Sequence, residues 1–244
     1  MTIIETKKLK KKFDGVKAVN DLSFKIEKGK ISGIIGPNGS GKTTLINLLT
    51  GIIPIDSGTV IIEGTEKLVK IKPSQVSFYG ITRTFQDVRI FEQMTVLDNI
   101  LVVLTERQVL KALFERHKDY YLKHAEEVLR KVDLWDKKTQ LAATLSYGQR
   151  KLLEIGRALA MKAEIYFFDE PFAGLFPEMV KIISNIMKEL KRSNKSIILI
   201  EHNIGLIRQL SDYVFVMDEG EILAEGVPEE VLRKKEVIEA YLGD

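Results

Sequence analysis

Residues 36–43, Gly36-Pro37-Asn38-Gly39-Ser40-Gly41-Lys42-Thr43, constrain this chain more than any other stretch. Glycines at these spacings let backbone N–H groups close around an anion, the lysine reaches the outer phosphates of a nucleotide, and the Thr43 hydroxyl suits magnesium. The flanks agree with the loop. Residues 31–35 (ISGII) read as a short buried strand, and residues 43–50 as a helix ended by Gly51, so a bound phosphate would meet that helix's N-terminus. With strand, loop and helix in register, an ordinary glycine-rich turn is a poor account of the stretch.

The rest of the composition narrows the class. A chain of 244 residues can bury a full core without a disulfide or structural metal, and the absence of cysteine excludes thiol catalysis and cysteine-ligated zinc. Net charge is +3, from 37 basic and 34 acidic residues, which gives no case for a nucleic-acid partner. No window approaches 18 uninterrupted apolar residues, and residues 1–5 lead into lysines. The expectation is a chain that is soluble or held at membranes by partners. Lys7, Lys8, Lys10, Lys11 and Lys12 read as a solvated strand edge whose charge discourages further pairing, and carry no assigned function.

Read in order, residues 6–24 form two strand-like runs around Phe13-Asp14-Gly15, where Asp-Gly favours a tight hairpin turn. Residues 58–64 add a second antiparallel stretch. From 95 to 162 glycine is scarce and helical spacing dominates, as in Leu122, Ala125, Val128, Leu129 and Val132. A helical subdomain over about 93–162 is expected within a single domain of 1–244. Trp135 reads as core, and His117 and His124 as members of an exposed helix. Residues 165–170 (IYFFDE) read as a buried strand delivering two acids at its C-terminal end, where α/β sheets place ligand chemistry. Pro177 opens a helix with Met179, Ile183, Ile186, Met187 and Leu190 on one face, and residues 196–200 form a further buried strand delivering Glu201 and His202. Two strand-like runs, 213–217 and 221–224, precede a terminal helix from about Pro228.

Phosphoryl transfer needs charge neutralisation, a magnesium ion, an oriented nucleophile and stabilisation of the transferred group. Lys42 and the loop amides suit the phosphates, Thr43 and Asp169 suit a hard cation, and Glu170 can orient and polarise water. His202 follows another strand end and can reach the γ-phosphate or that water. Ser146 and Gln149 have the spacing of a capping box at the start of a helix, and a capped helix start bearing Gly148 is also an anion site. Local sequence leaves both readings open.

Residues 36–43, 145–149 (LSYGQ) and 165–170, in this order and spacing, resemble the ATP-binding cassette family over essentially the whole chain. The resemblance implies an α/β fold, a P-loop NTPase core with a mixed sheet, an antiparallel β subdomain and an inserted helical subdomain. It implies ATP and Mg²⁺ as ligands. By position, Phe13 resembles the aromatic that stacks on adenine, Gln86 a catalytic and magnesium-binding glutamine, and His202 a switch histidine. Gly36, Pro37, Asn38, Gly39, Ser40, Gly41, Lys42, Thr43 and Thr44 would contact nucleotide. Thr43, Gln86 and Asp169 would hold the metal. Ser146, Gly148 and Gln149 would face ATP bound by a second subunit paired head to tail.

Two positions depart from the family's pattern. Tyr147 stands where glycine is usual, and Phe176 stands where Asp or Asn is usual. Residues 80–91 and 239–244 look most like ATPases of branched-chain amino-acid importers. That likeness implies an ATP-hydrolysing subunit at the inner face of the cytoplasmic membrane, working with permease subunits and a solute-binding protein. ATPases of lipopolysaccharide export and of urea or amide uptake are similar. A cassette ATPase acting on nucleic acid or ribosomes is the alternative from another class, but such relatives tend to carry long coiled coils, zinc sites or two cassettes. A kinase or GTPase would leave residues 145–149 unexplained.

Overall fold

The computed structural model describes residues 1–63, 67–104 and 118–242. The chain opens with β1 (Thr2–Phe13), β2 (Val16–Leu22), β3 (Lys25–Glu27) and β4 (Ile31–Ile35), then α1 (Lys42–Leu49), β5 (Ser57–Ile62) and β6 (Ile81–Arg83). Helices α2 (Val96–Leu104), α3 (Lys118–Lys131) and α4 (Tyr147–Ala160) follow. The remainder is β7 (Ile165–Asp169), α5 (Pro177–Arg192), β8 (Ser196–Ile200), α6 (Ile204–Leu210), β9 (Tyr213–Asp218), β10 (Glu221–Gly226), α7 (Pro228–Val231) and α8 (Lys235–Leu242). It divides into two compact units: Met1–Arg83 with Glu164–Glu170 and Met187–Asp244, and Thr84–Ala163 with Pro171–Ile186.

The first unit carries both sheets. One is six-stranded in the order β10-β9-β4-β8-β7-β6, parallel except that β10 runs antiparallel to β9. Every residue of β4, β7 and β8 is buried. A parallel strand covered on both faces must be apolar at successive positions, which is why ISGII, IYFFD and SIILI lack alternation. The second sheet is antiparallel, with β1 paired to β2, β3 and β5. Asp14 and Gly15 both have positive φ (44° and 92°) between the paired Phe13 and Val16. That backbone matches the twist of the strands it joins, as the Asp-Gly pair predicts.

β1 corrects one expectation, because it is not an edge. It pairs with β5 along one side and with β3 and β2 in succession along the other. Its lysines are partly absorbed in place: Lys11 is only 8% exposed and its ammonium lies 2.7 Å from Asp56. The core of this unit gathers Ile3, Ile4 and Leu9 of β1, Leu45 and Leu48 of α1, and Phe167, Ile198 and Phe215 of the larger sheet.

In the second unit α2, α3 and α4 pack on one another. They meet at Gly156, where an added Cβ would stand 3.3 Å from both Ile100 and Val132. Ala125, Val128 and Leu129 are buried, as their spacing predicts. Trp135 is instead half-buried in a short 3₁₀ turn between the cationic groups of Arg130 and Lys138, a surface setting in which its ring face still finds charge. His124 has only 14% of its side chain exposed, beside Tyr120, so it is not the exposed histidine its polar neighbours suggested. His117 lies outside the described residues. The terminal helix is two helices, α7 and α8. Val231 and Val237 are both buried, and six residues of continuous helix would have put them about 120° apart.

Candidate active site

Three adjacent parallel strands set out the first unit's site. β4 leads into residues 36–43, β7 ends at Asp169 and Glu170, and β8 leads into Glu201 and His202. Because β4, β8 and β7 are neighbours running the same way, their C-terminal ends share one edge of the sheet, although β4 lies far in sequence from the other two.

The loop is shaped by close backbone approach. A Cβ at Gly36 would stand 2.0 Å from the Met217 carbonyl oxygen, and one at Gly41, 2.2 Å from that of Ala18. Both residues also hold φ values, 149° and 99°, that favour glycine. Lys42 folds back under the loop: its Nζ donates to the carbonyls of Gly36 (2.9 Å) and Pro37 (2.8 Å) and lies 3.3 Å from Ser40 Oγ. Burial lowers its pKa, opposed by the negative charges of Glu170 and Asp169. Among the described residues no carboxylate forms an ion pair with Lys42, and the first turn of α1 carries no acid. A buried cation hydrogen-bonded to neutral oxygens, at a helix whose first turn carries no acid, is chemically suited to a phosphate.

Glu170 holds φ 47°, unusual for a side chain of its size, and its amide donates to the Ile200 carbonyl at 3.0 Å. Its carboxylate lies 2.8 Å from His202 Nε2. The two residues that sequence marked at separate strand ends are thus in direct contact. Glu201 accepts from the amides of His202 (3.0 Å) and Asn203 (3.1 Å), which fixes the turn presenting the histidine. Asp169 is 2% exposed and pairs with Arg83 at 2.8 Å, and Arg83 also donates to Asn47 (2.6 Å) and Thr50 (3.2 Å). Arg83 was missed in sequence, since nothing local marks an arginine at a strand end as buried. Phe13 sits at the end of β1, 44% exposed, with the Lys11 ammonium 5.2 Å from its ring centre.

Tyr241 was also missed as a neighbour of this loop. Burial pushes its phenol up to about 12, opposed more weakly by the Gly36 backbone.

The second unit holds the remaining candidates. Ser146 caps α4 and completes the capping box: its hydroxyl accepts from the Gln149 amide at 3.4 Å, and Gln149 Oε1 accepts from the Ser146 amide at 3.1 Å. Gly148 is buried, and a Cβ there would stand 2.3 Å from Met179 Sδ. Tyr147 is half exposed, its ring over Gly174. Gln86 lies in a loop fastened to α4. Lys151 Nζ donates to its carbonyl at 2.9 Å, and Glu154 Oε1 accepts from the amides of Phe85 and Arg89, each at 3.2 Å. Lys151 is fully buried and Glu154 is 5% exposed. Polar residues on an amphipathic helix read as solvated, so neither stood out in sequence.

Residues 19–173 match the family described as ABC transporter, and residues 221–244 match that described as branched-chain amino acid ATP-binding cassette transporter. The high-affinity branched-chain amino acid transport ATP-binding protein LivG of Escherichia coli K12 is 36% identical, covering 96% of this chain and 94% of its own length. Its counterpart BraF of Pseudomonas aeruginosa is 35% identical, covering 99% and 98%. Among solved structures, a nucleotide-free ATP-binding cassette from an ABC transporter matches at TM-score 0.87 and 35% identity, covering all of both chains. Another, the ADP conformation of an ATP-binding cassette, matches at TM-score 0.86 and 35% identity over the same extent.

Proposed function

The chain belongs to the ABC transporter family as one of its ATPase subunits, and from that premise we propose that it hydrolyses ATP to power import of branched-chain amino acids. The observation that carries the chemistry is the shared sheet edge, where the loop over Lys42 and the Glu170–His202 contact lie at the ends of adjacent parallel strands. The observation that favours the substrate class is the match of residues 221–244, together with full-length relatives named for branched-chain amino acid transport.

In this reading Gly36, Pro37, Asn38, Gly39, Ser40, Gly41 and Thr44 line the phosphates, and Lys42 exchanges its loop carbonyls for the β- and γ-phosphate oxygens. The gain in charge pairing offsets the burial that lowers its pKa. Thr43 and Gln86 carry oxygens suited to Mg²⁺, and Asp169, paired with Arg83, would hold the ion through water or directly. When bound, that ion neutralises charge on the transferred group. Glu170 orients and polarises the attacking water. His202, 2.8 Å away, fixes the Glu170 carboxylate. Phe13, exposed at a strand end, stacks on adenine. Ser146, Gly148 and Gln149, at the start of α4, complete the site of a second subunit paired head to tail. Among the described residues no helix is long and apolar enough to cross a membrane, so permease subunits would supply the pathway and place the ATPase at the inner face of the membrane. A solute-binding protein would supply selectivity.

The test is to reconstitute the membrane complex and measure ATP hydrolysis with the solute-binding protein loaded in turn with leucine, isoleucine and valine. Stimulation by at least one is expected. Absence of stimulation by all three, with stimulation by an amide or a lipopolysaccharide, would reassign the substrate.

A further inference from the structure

The loop carrying Gln86 is held to one helix at successive points. Along α4, Lys151 donates to the carbonyls of Phe85 (3.5 Å) and Gln86 (2.9 Å), Glu154 accepts from the amides of Phe85 and Arg89, and Arg157 donates to the Arg89 carbonyl at 2.5 Å. Residues three apart on a helix are surface neighbours, so these side chains form one sloping stripe under the loop. The loop's far end is closed by Asn99, which is fully buried and exchanges two 2.9 Å hydrogen bonds with the Phe91 backbone. These contacts are to main-chain atoms, so they fix where the loop runs whatever side chains it carries.

Burying an ammonium and a carboxylate is costly, and an apolar pair would stabilise the helix as well. A buried charged pair whose hydrogen bonds go to a neighbouring loop's backbone points to a need for defined geometry in that loop. The same helix begins at Ser146 and Gly148. We propose that Lys151 and Glu154 are positioning residues for Gln86, holding the backbone of its loop in place against α4. This rests on the reading of Gln86 as a magnesium-binding residue. Lys151 acts through the Gln86 carbonyl, and Glu154 through the amides of Phe85 and Arg89 on either side of it. The consequence is that loosening the stripe should weaken magnesium use while leaving nucleotide binding at the Lys42 loop intact.

The test uses the full chain in its membrane complex. Lys151→Met keeps the length of the buried stem and removes the ammonium; Glu154→Leu removes the acceptor; Lys151→Arg and Glu154→Gln retain a donor or an acceptor. For Lys151→Met and Glu154→Leu, the Mg²⁺ concentration for half-maximal hydrolysis is expected to rise about tenfold to a hundredfold, as loss of a group supporting a metal ligand does. The KM for ATP should stay within about twofold of wild type, and the conservative variants should recover most of the loss. Amides of residues 84–92 should exchange faster in the two disruptive variants, read by hydrogen exchange on the isolated chain. Unchanged magnesium dependence in folded variants would overturn the proposal, as would unchanged exchange over 84–92. Lys42→Ala is run alongside: if it hydrolyses ATP as wild type does, the nucleotide reading fails, whereas exchange over 84–92 still decides whether the stripe holds the loop.

Discussion

At the scale of single residues, the site is a set of side chains kept in unfavourable states. Lys42 is buried with its pKa lowered, and Glu170 holds a left-handed backbone, φ 47°, at the end of a buried strand. Such conformations persist where the surrounding structure over-determines them, here through the Glu170 amide bond to Ile200 and the His202 contact. Replacing Glu170 by Gln keeps the shape and removes the charge. Hydrolysis should slow by about 10²–10⁴-fold, the usual contribution of a general base, with ATP still bound. Size-exclusion chromatography of Glu170→Gln with ATP and Mg²⁺ should show a dimer; a monomer at saturating nucleotide would contradict the composite site. Glu154 gives a pH dependence. Burial raises its carboxyl pKa, opposed more weakly by the amides of Arg89 and Phe85 and the charges of Lys151 and Arg157. A carboxyl that holds its proton more tightly folded than unfolded favours folding below its unfolded pKa, and that contribution is lost as pH rises through the raised folded value. As pH rises from about 4, wild type should therefore lose stability relative to Glu154→Gln until the raised folded value is passed, read as the difference in melting temperature between the two.

At the scale of elements, α5 shows what the departure at Phe176 does. Its carbonyl accepts from the Val180 amide at 3.1 Å, which makes it the capping residue before Pro177, yet phenylalanine offers no side-chain acceptor to the first turn. Phe176 is 72% exposed, so little packing is lost by changing it. Phe176→Asp should stabilise the chain by about 1 kcal/mol, seen as a higher denaturant midpoint at an unchanged slope. A lower midpoint would mean that the ring makes packing contacts its exposure does not suggest. Legibility in sequence also divides by element. The capping box at Ser146 and Gln149, the Asp14-Gly15 turn and the apolar runs of β4, β7 and β8 are local signals, and each formed the expected element. The interior place of β1 was not legible, because a run of lysines looks the same on an edge strand and on a strand whose charges are paired in place, as Lys11 is with Asp56. Lys151 and Glu154 were hidden for the same reason: what buries them is a loop 65 or more residues away.

At the scale of the whole molecule, strand order does what sequence motifs cannot. The loop at Gly36, the acid at Glu170 and the histidine at 202 were each visible alone, but their meeting depends on β4, β8 and β7 being neighbours, which no single segment encodes. Arg83 and Tyr241, which complete the surroundings of Asp169 and Gly36, are reached only through that order. The family match then links this sheet edge to ATP chemistry, and the match of residues 221–244 to a class of transporter. The claim that everything else depends on is hydrolysis of ATP at Lys42. The direct measurement is Mg²⁺-dependent phosphate release by the reconstituted complex containing wild type or Lys42→Ala. Loss of a buried charge that contacts the transferred group should lower the rate by about 10²–10³-fold. Equal rates in the two would contradict it.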